Sequence, residues 1–128
     1  MRMFPMRNFM LGKLVVAAAI LTSVGRAPAQ DAEKGKQVFV QCAVCHAPDQ
    51  KNGTGPGLGG VMGRKAGTAP GFRYSRAMKT AGITWNETTL EAYVLEPQKI
   101  IPGNVMPFSG LPSAEARQDL IAYLKTLK

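Results

Sequence analysis

The chain has 128 residues, with 16 Lys and Arg against 8 Asp and Glu, two Cys, a single His and a single Trp. This is the length of one modest domain, and so few Cys and His exclude a disulfide-dense scaffold and leave a four-ligand zinc site in need of a carboxylate. Of the net charge of +8, the share due to Arg2, Arg7, Lys13 and Arg26 lies in residues 1–29, where no acid occurs, so residues 30–128 carry +4. That remainder shows no basic stripe and does not read as a nucleic-acid binder.

The amino-terminal segment carries basic residues, then the apolar run Leu14 to Leu21, then Ala27-Pro28-Ala29 ahead of Gln30. These are the three regions of a cleavable secretory signal over residues 1–29, with cleavage expected after Ala29. An uncleaved anchor would need about 20 apolar residues, and Lys13 and Arg26 bracket only Leu14 to Gly25. A mitochondrial transit peptide would be amphipathic and would lack the compact apolar block. Export to a bacterial periplasm follows, leaving one domain over residues 30–128. A chain this short buries a modest share of its surface, so a large apolar cofactor would supply much of its core.

The first helical pattern places Gly35, Val38, Phe39 and Cys42 on one face, with Asp31 and Glu33 early, where the helix dipole favours anions. It leads into Cys42-Ala43-Val44-Cys45-His46. C-x-x-C-H is the attachment pattern of a c-type haem: the thiols form thioethers and the adjacent imidazole becomes an axial iron ligand. A thioredoxin-like pair would sit in a βαβ unit, and no strand pattern surrounds this one. A plain disulfide in an exported protein accounts for the cysteines but leaves His46 without a role.

Residues 47–71 hold eight glycines, among them Gly53, Gly55, Gly57 and Gly59, together with Pro56 and Pro70, and show no helical or alternating period. The lysine and hydroxyl of a phosphate-binding loop are missing. Tight turns, and backbone lying close against a flat ligand, explain the glycines better. A loop this long in a compact domain usually has a job.

A second helix is expected from Thr84 or Asn86, with Thr84 and Glu87 as a capping box and Leu90, Tyr93 and Val94 as its apolar stripe, ending before Pro97. The last helix starts at Ser113 after Pro112, with Glu115 in its first turn, Lys125 and Lys128 at its end, and Leu120, Ile121, Leu124 and Leu127 on its apolar face. Gly35 would let it cross the first helix closely. Between these helices lies Ile100 to Phe108, in which Pro102 and Pro107 bracket Met106. With no second histidine, the sixth iron position falls to a thioether, a lysine, a terminal amine or water. Beyond residue 29 the methionines are Met62, Met78 and Met106. Met62 reads as core filler, whereas Met106 lies in an extended, Pro-bracketed stretch that can present its sulfur.

The chain resembles the class I c-type cytochromes of the soluble mitochondrial and photosynthetic-bacterial type over Asp31 to Lys125. The matching stretches are Cys42 to His46, Thr54-Gly55-Pro56, Gly63-Arg64-Lys65, Ala69-Pro70-Gly71, Tyr74-Ser75, Gly82-Ile83 with Trp85, Ile101-Pro102-Gly103, Met106 with Phe108, and Asp119 to Leu124. The resemblance implies an all-α class I cytochrome c fold, with crossed terminal helices and shorter helices around one covalent haem c. Cys42 and Cys45 would hold that haem, and His46 and Met106 would ligate its iron. The Pro56 carbonyl would orient the His46 ring. Arg64, Tyr74 and Trp85 would pair with the propionates, Tyr93 would lie beside the Met106 sulfur, and Gly35, Phe39, Leu120 and Tyr123 would form the helix crossing.

Two departures touch the haem pocket. Met78 stands where the family commonly has asparagine, which makes it a second candidate ligand behind Met106, and Asn104 stands where it has threonine. The lysines that ring the haem edge in mitochondrial members are largely replaced, by Gln41, Gly53, Gln98, Val105, Pro112 and Ser113, with Lys99 retained. Partner docking is therefore expected to be more apolar and less steered by charge.

The expected function is a periplasmic monohaem one-electron carrier, not an enzyme. It would be a monomer without stable membrane insertion, shuttling between a membrane-bound donor complex and a terminal oxidase, reaction centre or dehydrogenase. A dedicated electron-acceptor subunit of one periplasmic dehydrogenase would use the same site and differ only at its surface. A small haem peroxidase or gas sensor would need a labile sixth ligand.

Overall fold

The computed structural model describes residues 30–128. The secretory signal expected over 1–29 lies outside the described residues. Five helices follow in order: α1 Ala32–Ala43, α2 Arg76–Lys79, α3 Glu87–Leu95, α4 Pro97–Ile100 and α5 Ala114–Leu124. Among the described residues the only β pairing is an isolated antiparallel bridge between Lys65 and Thr84, so the fold is all-α, as the resemblance implied. No helix among them is long and apolar enough to cross a membrane.

The molecule is built on the crossing of α1 and α5. Asp31 caps α1, its carboxylate accepting the Glu33 and Lys34 backbone N–H groups, while its own N–H donates to Asp119 Oδ1 of α5 at 2.8 Å. One residue thus satisfies orphan donors of one helix and ties it to the other. Gly35 sits at the closest approach: a Cβ there would run into the Asp119 carbonyl and the Tyr123 side chain. Phe39 and Tyr123 meet beyond it with tilted rings, centroids 5.1 Å apart, and Leu120, Ile121 and Leu124 are buried beneath. The apolar stripes read from the helical period are therefore the faces that meet.

The cap of α3 differs from the expected one. Asn86, not Thr84, is the N-cap, and it forms a reciprocal box with Thr89 rather than using Glu87. Thr84 is held in the bridge to Lys65, and its carbonyl accepts from the Thr89 hydroxyl. Glu87 instead pairs across to Lys125 at the end of α5. Pro97 both ends α3 and opens α4, where its missing N–H costs nothing at the first helical position. The short helices α2 and α4 carry too little period to be read from sequence.

The glycine-rich segment folds back on itself. Gly57 and Gly59 approach the backbone of Asp49 and Gln50, where a side chain would collide. Asn52 stitches this loop together, donating to the Pro70 carbonyl at 2.8 Å and accepting from Gly57 N–H at 3.1 Å.

Candidate haem-binding site

At the end of α1 the chain turns so that both Cys45 and His46 backbone N–H groups donate to the Cys42 carbonyl, at 3.0 and 2.9 Å. The attachment motif is thus a continuation of the helix, and its three functional side chains line one cavity. The two cysteines are not joined to each other in a disulfide. Burial pushes the Cys42 thiol up from its ordinary pKa, the opposite of the low-pKa thiols of redox pairs. Among the described residues no group of three or more His, Cys, Asp or Glu could hold a metal ion, so a zinc centre has no ligand set.

His46 is oriented from behind. Its Nδ1 lies 2.7 Å from the Pro56 carbonyl, which assigns the proton to Nδ1 and leaves Nε2 as the free lone pair. Gly55 packs on the ring so closely that a Cβ would lie 2.7 Å from Nδ1, and its N–H donates to the Cys45 carbonyl at 2.8 Å. Arg64 then holds the loop that holds the histidine. Its guanidinium donates to the Gly57 carbonyl at 3.0 Å and to that of Gly59 at 3.4 Å.

The cavity has a volume of about 290 Å³, at the lower end of the roughly 300–1,000 Å³ of small-molecule sites. The sulfur and imidazole groups of Cys42, Cys45 and His46 share it with Met106, and between them the walls are mostly apolar: Leu58, Val61, Leu90, Leu120 and Leu124 with the rings of Phe39, Phe72, Trp85 and Tyr93. Two thiols and an imidazole with its lone pair free are what covalent haem attachment requires, and the Met106 thioether shares their mostly apolar cavity. The residues present fit that group.

Every site residue expected from sequence has a place here. Pro56, Arg64, Tyr74, Trp85, Tyr93 and Met106 all line the cavity with the attachment motif. Tyr93 O–H points at Met106 Sδ, 3.9 Å away, and burial holds its pKa up at about 12, so the phenol is the protonated donor at neutral pH. Trp85 packs against Tyr93 with centroids 5.0 Å apart and ring planes tilted by 50°. Tyr74 also serves the protein itself, its hydroxyl accepting from the Ala69 N–H at 3.1 Å. Met78 lines the cavity as well, whereas Met62 packs against the core outside it.

Sequence reasoning missed several supports of the Met106 segment. Arg117 on α5 is 7% exposed, and its guanidinium donates to the Leu111 and Pro112 carbonyls at 2.9 and 2.8 Å while facing Glu91 at 3.7 Å. Gln98 and Asn104 bind the backbone just before Met106. Arg117 follows the capped start of α5 on the helical period and could have been flagged as a basic residue inside an apolar stripe. The two amides carry no such periodic signal.

Comparison with known proteins agrees with this site. The family model for cytochrome c matches residues 32–128. Cytochrome c of Chlamydomonas reinhardtii is 49% identical over 108 residues, covering 82% of this chain and 96% of that protein. Cytochrome c2 of Blastochloris viridis is 48% identical over 122 residues, covering 94% of this chain and 93% of its own. Among solved structures, cytochrome cH from Methylobacterium extorquens superposes with a TM-score of 0.73 at 43% identity, covering 75% of this chain and 98% of that one. A cavity built on Cys42, Cys45 and His46, in a chain this similar to those proteins along nearly their whole length, leaves one conclusion: the protein belongs to the cytochrome c family, the monohaem c-type electron carriers, and holds one covalent haem c.

Proposed function

We propose that this protein is a periplasmic electron shuttle whose iron is ligated by His46 and Met106, working between a membrane-bound donor complex and an oxidase, a reaction centre or a dehydrogenase. When bound, haem c supplies a one-electron iron couple; the chain's own residues do the rest. Cys42 and Cys45 anchor the group, and Pro56 fixes the His46 tautomer. Tyr93 donates toward the Met106 sulfur, and the apolar walls exclude water. A thioether ligand favours the reduced state and raises the potential, and a saturated iron leaves no position for substrate. Arg64, Tyr74 and Trp85 border the cavity as candidate partners of the propionates.

The observation that carries this reading is that His46 and Met106 face the same apolar cavity, each with its own hydrogen-bonding support. Export is supported by the composition of residues 1–29 and by the Blastochloris viridis cytochrome c2, whose alignment covers 94% of the chain and so runs into that segment. Residues 30–128 would then be the mature single domain, a monomer released by cleavage after Ala29.

The test is the visible spectrum of the purified protein, oxidised and reduced, with and without carbon monoxide. The weak far-red charge-transfer band of an iron–thioether bond in the oxidised form, with no response to carbon monoxide, is expected. A high-spin spectrum or ready carbon monoxide binding would overturn Met106 ligation and bring a peroxidase or gas sensor forward. Mass spectrometry of the periplasmic fraction should find an amino terminus at Gln30 with one haem added.

A further inference from the structure

Met106 sits in a stretch without regular structure, so its position must be imposed from outside the backbone ladder. Two side-chain amides do this. Asn104 is 6% exposed, and its Nδ2 donates to the Ile101 carbonyl at 2.8 Å and the Pro97 carbonyl at 3.1 Å. Its Oδ1 accepts the Met106 backbone N–H at 3.0 Å. Gln98, exposed on α4, closes a second ring around the same turn: its Nε2 donates to the Asn104 carbonyl at 2.9 Å and its Oε1 accepts the Gly103 N–H at 3.2 Å. Both residues use the donor and the acceptor of a neutral amide, which neither an ammonium nor a carboxylate can supply at once.

We propose that Gln98 and Asn104 are positioning residues that tether the Met106 backbone to α4 and thereby set how readily the Met106 thioether leaves the iron. This inference rests on Met106 being the sixth ligand. For an added ligand to take that position, Met106 must first swing away, and its apparent affinity is the intrinsic affinity scaled by the fraction of molecules in which the position is open. Each amide hydrogen bond that must break on opening lowers that fraction. The α1-end ligand needs no such device, because His46 is carried by backbone continuous with a helix.

The experiment is a titration of the oxidised holoprotein with imidazole, read from the loss of the far-red band, in the wild type and in Asn104→Ala, Gln98→Ala and Glu96→Gln. Glu96→Gln removes the exposed Lys99 pair on α4 and touches neither amide. Asn104→Ala should tighten imidazole binding on the order of tenfold or more, and Gln98→Ala severalfold, from the net worth of the lost hydrogen bonds; Glu96→Gln should leave it unchanged. A purely structural role would lower the guanidinium midpoint without raising imidazole affinity. Should Asn104→Ala fail to fold, Gln98→Ala decides alone, since Gln98 is exposed. A wild type that shows the band, with unaltered imidazole affinity in the amide variants, overturns the tether alone. A wild type with no band overturns Met106 ligation, and the tether with it.

Discussion

The two candidate iron ligands are positioned by different means. His46 is placed by backbone: α1 runs into the motif, two N–H groups fold back on the Cys42 carbonyl, and a single Pro56 carbonyl sets the ring. Met106 is placed by side chains: Asn104 within its own segment binds its N–H, Gln98 of α4 and Arg117 of α5 bind the stretch on either side, and Tyr93 points at its sulfur. A helix delivers a side chain at a fixed rise and angle. An irregular stretch has no such rule and must be clamped. The histidine side is thus held by backbone and the methionine side by side chains, which substitution can change without touching the attachment cysteines.

The largest effect should come from leaving out the haem, which removes what both sides face. The chain made without it is expected to be largely unfolded by far-UV circular dichroism, because so short a chain has little other core. Near-native ellipticity would show instead that the α1–α5 crossing stands alone and that the histidine side is formed before attachment. Gly35→Val addresses that crossing directly. With the Asp119 carbonyl in the way, it should cost about 1–3 kcal/mol in guanidinium unfolding, as over-packing does.

Met106→Ala should separate the two sides outright. Haem stays covalently bound, visible by staining on a denaturing gel, while the far-red band disappears. The potential should fall on the order of 0.1 V or more, within the roughly 0.8 V that axial ligands span. Loss of the haem stain would mean that the methionine side also governs attachment. A smaller change is expected for Tyr93→Phe, which removes one long O–H···S contact and should cost about 0.5–1.5 kcal/mol at most, with the far-red band retained. The smallest response should be to salt. The surface beside each ligand ends in a valine, Val44 at 81% and Val105 at 76% exposure, so the electron-transfer rate with a redox partner should vary less than about threefold as the Debye length shrinks from ~30 to ~10 Å. A steep fall with salt would contradict weakly steered docking.

Much of the site was legible in the chain because it lies in short, chemically specific patterns. Cys42, Cys45 and His46 lie within five consecutive residues, and the apolar faces of α1, α3 and α5 follow from the helical period. Pro97 and Ser113 mark boundaries through general backbone rules. The α3 cap falls on Asn86 rather than Thr84, because sequence offers both within three residues and only the bridge to Lys65 takes Thr84 out of the helix. Gly55 belongs to a glycine-rich stretch in sequence, but its role as the floor under the His46 ring appears only when the loop has folded back.

Taken alone, the amino-acid sequence determined the attachment chemistry, the three longer helices and the two ligand candidates, because each depends on residue type and local spacing. Tertiary structure decided how those ligands are held. Arg64 reaches the loop carrying Pro56, Arg117 reaches from α5 to residues 111 and 112, and Gln98 and Asn104 close around the Met106 backbone. Polar side chains such as these bind whichever carbonyl or N–H the fold leaves unpaired beside them, and which groups those are is settled only once helices have claimed the rest.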